Sequence, residues 1–141
     1  IGPMLYVVSY QGNLLAIDLS ANGRIRWGRE ASSAVGLAAG FGNVYVVYDD
    51  SRIGAIDLES NKDQWEIDDF TYRYLTTPAV VGSYLAVGDF EGYLHLVAQS
   101  DGRIVGRRKI DGEGLTAPFV TDGNRIYLIS DGGRLMALEV Q

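Results

Sequence analysis

The chain has 141 residues, 47% of them apolar and 21% charged, enough for a domain that hides roughly two-thirds of its unfolded surface. Its 18 acidic and 12 basic residues give a formal charge of −6 and a pI near 4.6, which argues against general attraction to nucleic acid or an anionic membrane. With no Cys and a single His, disulfide scaffolds, Cys-based zinc sites and thiol nucleophiles are excluded.

The start, Ile1-Gly2-Pro3-Met4, has neither the basic flank nor the apolar stretch of a signal peptide, and no apolar run approaches the roughly 20 residues of a membrane-spanning helix. Eighteen Gly against 3 Pro, with 9 Tyr and many β-branched residues, is the composition of short strands joined by tight turns. Residues 5–19 read LYVVSYQGNLLAIDL, 44–58 VYVVYDDSRIGAIDL, 85–97 LAVGDFEGYLHLV and 126–138 IYLISDGGRLMAL. Their first residues, Leu5, Val44, Leu85 and Ile126, stand 39, 41 and 41 positions apart, the period of propeller blades. Within one period the apolar stretches Thr76 to Val81, Tyr84 to Gly88, Tyr93 to Ala98 and Ile104 to Lys109 are separated by Gly, Asp and Ser, predicting four antiparallel strands per unit. A lone sheet of this size cannot bury both faces, so successive units must stack, and continuous apolar runs such as Tyr45 to Tyr48 fit strands covered on both sides. The units fall at about 1–33, 34–74, 75–115 and 116–141. The first begins at its second strand and the last stops at Val140-Gln141, inside its third and without a fourth, giving 3, 4, 4 and 3 strands. The expected fold is all-β: a propeller fragment of about four blades, two complete and two incomplete.

The third strand and following turn carry a denser signature: Ala16-x-Asp18 with Gly23 and Trp27, then Ala55-x-Asp57 with Asn61 and Trp65. Small Ala permits close sheet packing, Asp bonds turn amides, Gly or Asn accepts a positive φ, and Trp covers the next blade. The third unit has Ala98 and Gly102 but Gly106 in place of Trp; the fourth has Ala137 with Glu139 for Asp. The pattern resembles the tryptophan-docking repeat of propellers named after pyrroloquinoline quinone. The segments SYQGNLLAIDL, GFGNVYVV, TTPAVVGSYLAVGDFEGYLHLV and DGRIVGRRKIDGEGL are similar, more narrowly, to the C-terminal half of the BamB family, lipoproteins of the outer-membrane β-barrel assembly machinery of Gram-negative bacteria.

That resemblance implies an eight-bladed parent propeller on the periplasmic side of the outer membrane, anchored through a lipidated Cys that would lie before Ile1. It also implies a non-enzymatic scaffold without cofactor that binds the periplasmic POTRA repeats of BamA through rim loops. By motif position the candidate partner-binding residues are Ile17, Leu19 and Ser20 after the third strand of the first unit, and Asp68 and Asp69 before the third unit. Ser20 stands where the family often has a basic residue. Leu19, Asp68 and Asp69 together would offer an acidic and apolar patch to a basic partner. A generic interaction propeller and a fragment of a quinone-dependent dehydrogenase are the alternatives. Open apolar faces at both ends would allow two copies, each near half a ring, to close into a two-fold assembly.

His95, near Asp89 and Glu91, aligns with Leu15, Gly54 and Met136 and reads as a structural strand residue rather than a catalytic base. The pairs Asp49-Asp50 and Asp68-Asp69 and the DGEG run at 111–114 lack the ligand spacing of a calcium loop and read as solvated turns. Arg107-Arg108-Lys109 reads as a charged outer edge strand. Tyr72 and Tyr74 could anchor an interface or plug a blade junction.

Overall fold

The computed structural model describes residues 4–8, 13–30 and 34–140. Ile1 to Pro3, the Ser9 to Gly12 part of the first repeat, residues 31–33 and Gln141 lie outside the described residues. Among the described residues, fourteen strands form four antiparallel meanders. The first sheet is β1 (Met4–Val8), β2 (Asn13–Asp18) and β3 (Arg24–Glu30). The second is β4 (Ala34–Gly40), β5 (Asn43–Tyr48), β6 (Ile53–Asp57) and β7 (Asp63–Ile67). The third is β8 (Ala79–Val81), β9 (Tyr84–Gly88), β10 (Tyr93–Ala98) and β11 (Ile104–Lys109), and the fourth is β12 (Val120–Asp122), β13 (Arg125–Ile129) and β14 (Leu135–Glu139). The expected 3, 4, 4 and 3 strands are present. The first strands of successive sheets lie side by side, β4 against β8 and β8 against β12, so the sheets fan out from a common inner line, as propeller blades do.

Alternation along the strands explains the core. In β5, Val44, Val46 and Tyr48 pack toward the first sheet with Leu14 and Ile56, while Tyr45 and Val47 pack toward the third with Leu85, Val87 and Val97. A third layer, with Ala86, Leu94, Leu115, Ile126 and Leu128, joins the third and fourth sheets. Every residue of β5 is buried, and each Val or Leu hidden this way contributes about 1.5–3 kcal/mol.

The Trp signature fastens the layers. Trp27 donates its indole N–H to the Leu58 carbonyl of the second sheet at 2.7 Å, and Trp65 donates to the Gln99 carbonyl of the third at 2.9 Å. Each ring leans on a Tyr of its own sheet, Tyr6 or Tyr45. Asp18 accepts the Ser20 amide, and Asp57 accepts those of Glu59 and Ser60. Gly23, Asn61 and Gly102 all have positive φ.

Register corrects one detail of the repeat. Across the first two sheets the rows are Tyr6, Ala16, Trp27 and Tyr45, Ala55, Trp65; in the third the same row is Ala86, Leu96, Gly106. Ala98 therefore occupies the Asp18 and Asp57 position, and Leu96 replaces the small Ala. The row has changed from large, small, large to small, large, small.

Candidate functional site

An antiparallel meander places successive turns at alternate ends of its sheet, so the fold has two loop rims. The turns after the first and third strands share one rim, where the Leu58 amide donates to Gly42 O at 2.9 Å. The turn after the second strand and the linker to the next sheet share the other, where Leu75 N donates to Ser51 Oγ at 3.2 Å and Phe90 N to Arg73 O at 3.1 Å.

The candidate residues divide between these rims. Leu19 and Ser20 form a 3₁₀ turn after β2 on the first rim, Leu19 exposed and the Ser20 hydroxyl donating to Asp18 at 2.6 Å. Ile17 lies within β2, half-buried and paired with Leu5 and Ile25. Asp68 and Asp69 open the linker after β7, on the opposite rim, and both are exposed. A single patch of Leu19, Asp68 and Asp69 is therefore not formed, because the two turns are one strand apart in parity.

The linker rim between the second and third sheets is held by a network of polar contacts. Asp68 O accepts from the amide and hydroxyl of Thr71 at 3.2 and 2.6 Å, turning the chain so that Phe70 is buried. Arg73 reaches across to the next turn and pairs with Asp89 at 3.2 Å and Glu91 at 3.0 Å. Asp89 is fully buried; it also meets His95 Nε2 at 2.7 Å and accepts the Glu91 and Tyr93 amides at 2.9 and 3.1 Å. Burial pushes its carboxyl up, but the bonds from His95 and the Tyr93 and Glu91 amides outweigh that and hold it below the usual carboxylate range. His95 itself is buried, with Phe70 4.6 Å and Tyr93 6.2 Å from its ring. Its environment is that of a strand residue locking a turn.

Above this network lie exposed aromatics. Tyr72 and Tyr74 are 75% and 65% exposed and hold φ of 64° and 52°, a region costly for bulky side chains and worth reading for function. Tyr74 meets Phe90 edge-on at 5.5 Å; neither Tyr plugs a blade junction. A shallow depression of about 240 Å³ lined by Asp69, Phe70, Arg73, His95, Ile104 and Arg107 adjoins them. No motif marks the Arg73 to Asp89 pair, because its partners are joined only when the linker folds back.

The remaining readings resolve locally. Asp50 bonds Arg52, which also reaches Glu66, and Asp111 accepts the Glu113 and Gly114 amides in a turn. On the outer strand β11, Arg107 and Lys109 both lie over the Tyr93 ring, and Arg108 takes the other face, opposite Leu94.

The family model described as outer membrane protein assembly factor BamB matches residues 2–67 and 69–141. The chain belongs to the BamB family. It is 43% identical over 140 residues to the BamB of Pseudomonas aeruginosa, covering 99% of this chain and 37% of that protein. The crystal structure of BamB from Moraxella catarrhalis superposes with a TM-score of 0.88 at 31% identity, over 99% of this chain and 41% of that one. The chain thus spans a little over a third of the length of these BamB proteins, a fragment of their propeller. A europium-containing methanol dehydrogenase matches with a TM-score of 0.64 at 21% identity, over 84% of this chain and 24% of the enzyme; that likeness is one of fold.

Proposed function

We propose that this chain is an arc of a non-catalytic, cofactor-free scaffold that serves outer-membrane protein assembly on the periplasmic side of the outer membrane, within a lipid-anchored parent. Its partner on this reading is the POTRA region of BamA, and the contact is made by the linker rim. The observation that carries the reading is the exposed group of Asp68, Asp69, Tyr72 and Tyr74, with both Tyr in a costly backbone conformation, beside the network in which half-buried Arg73 and buried His95 meet buried Asp89. Aromatic anchors beside acids suit a partner surface of apolar groove and Lys or Arg. Ile17, Leu19 and Ser20 form a separate surface on the other rim. Two copies of this arc, whose outer faces expose Leu5 and Ile25 at one end and Val120, Ile129 and Leu135 at the other, would pair to cover them.

The test is binding of purified BamA POTRA repeats to the full-length parent carrying Asp68→Lys with Asp69→Lys. A loss of at least about tenfold in affinity is expected for desolvated charge reversal, with Leu19→Ala and Ser20→Ala leaving binding unchanged. Unchanged affinity in the charge-reversed protein overturns the rim assignment, and absence of binding by the unaltered parent overturns the partner.

A further inference from the structure

The third and fourth sheets are joined differently from the others. The acceptor carbonyls of the Trp docks sit at equivalent places in successive repeats, marked by the same backbone bond: Leu58 N to Gly42 O at 2.9 Å and Gln99 N to Ser83 O at 3.1 Å. The bond recurs once more, Val140 N to Asn124 O at 2.8 Å. The Val140 carbonyl is thus the third docking position, and the residue that would supply its indole is Gly106, opposite Leu96 as Trp65 is opposite Ala55. A Cβ built on Gly106 meets nothing within 4 Å. A groove of about 330 Å³ lies there, between Leu94, Leu96 and Gly106 on one sheet and Ile126, Leu138 and Val140 on the other.

The rim of the groove carries Arg108 and Glu139. Glu139 stands 3.7 Å from Arg125, whereas Arg108, exposed and on the same face as Leu94, has no ion-pair partner among the described residues. An apolar slot whose two equivalents each hold an indole, with an unneutralised guanidinium at its mouth, selects for an aromatic ring close to a carboxylate.

We propose that this groove is a receptor for an aromatic side chain of a partner polypeptide, flanked by an acidic group that Arg108 pairs. The inserted ring takes the place that Trp27 and Trp65 take within the chain, and an indole would donate to the Val140 carbonyl. The groove is lined by none of the rim residues Asp68, Asp69, Tyr72 or Tyr74, so the proposal stands or falls separately from the POTRA reading.

The probes are N-acetyltryptophan, which carries a carboxylate, and N-acetyltryptophanamide, which does not, titrated into the 141-residue chain with methyl NMR detection. Shifts confined to Leu94, Leu96, Ile126, Leu138 and Val140 are expected, with the carboxylate form binding several-fold more tightly. Gly106→Trp should fill the slot from within and weaken both probes at least tenfold. Arg108→Gln, an exposed change that keeps the fold, should bring the two probes to equal affinity. Shifts mapping elsewhere, no shifts at millimolar probe, undiminished binding to a folded Gly106→Trp protein, or a preference for the carboxylate that survives Arg108→Gln would each overturn the proposal.

Discussion

Asp89 is a buried carboxylate with three kinds of partner: a guanidinium, an imidazole and two backbone amides. Because its folded pKa lies below the ordinary carboxylate value, the unfolded chain takes up the proton more readily. The stabilisation is complete above the unfolded carboxyl pKa and is lost as pH falls through that value toward the folded one. Urea unfolding at neutral pH and in acid should show this loss in the unaltered chain and a flatter profile in Asp89→Asn. Removing the carboxyl with Asp89→Ala leaves Arg73 and His95 without their shared partner and should cost about 3 kcal/mol at neutral pH. A profile as steep in Asp89→Asn as in the parent would assign the acid sensitivity to other groups. Trp65 offers a second residue-scale measurement: Trp65→Phe keeps a ring over Tyr45 but loses the bond to Gln99 O, which should lower stability by about 1 kcal/mol or somewhat more.

At the scale of strands and turns, much was readable beforehand. Tyr84–Gly88, Tyr93–Ala98 and Ile104–Lys109 are the strands that apolar runs and Gly-rich turns predict, because Gly and Asp mark the backbone reversals directly. The first strand of that unit is shorter than its apolar run, beginning at Ala79, after Pro78, which cannot donate to a ladder. The partition of the site was encoded too: Leu19 follows a third strand and Asp68 a fourth, and parity alone separates them. Motif reading found Gly106 in the place of Trp, but not that Ala86 and Leu96 replace Tyr and Ala in the same row, since that appears only once cross-strand partners are known. The dock itself makes an element-scale prediction. At Gly102, with φ of +77°, a Cβ would stand 2.6 Å from Trp65 Cε3, whereas at Gly123, with φ of +59°, it would meet nothing. Gly123→Ala should cost about 1–2 kcal/mol, for the left-handed backbone alone. Gly102→Ala should cost a further 1–3 kcal/mol, roughly, for the crowding, and denaturant midpoints of the two variants compare them directly. Equal costs would mean that Trp65 yields freely at the junction.

Across the whole molecule the argument is one of stacked sheets. Three apolar layers join four blades, and the two outermost faces carry exposed Leu5 and Ile25 at one end and Val120, Ile129 and Leu135 at the other. Isolated at micromolar concentration, the arc should sediment at twice its 15.4 kDa mass, and Ile129→Lys with Leu135→Lys should return it to monomer; a monomer throughout would dismiss the half-ring pairing. The family was legible in the VGDFEGYLHL segment at 87–96, whereas the proposed partner surface was not, because it is assembled from a linker, a turn and a half-buried ion pair distant in sequence. The proposed scaffold role places the partner on the linker rim. Hydrogen exchange of the full-length parent, with and without BamA POTRA repeats, tests that most directly. Added protection at residues 68–75 and 89–92 is the predicted result, while protection confined to residues 17–20 and 58–62 on the opposite rim would contradict it.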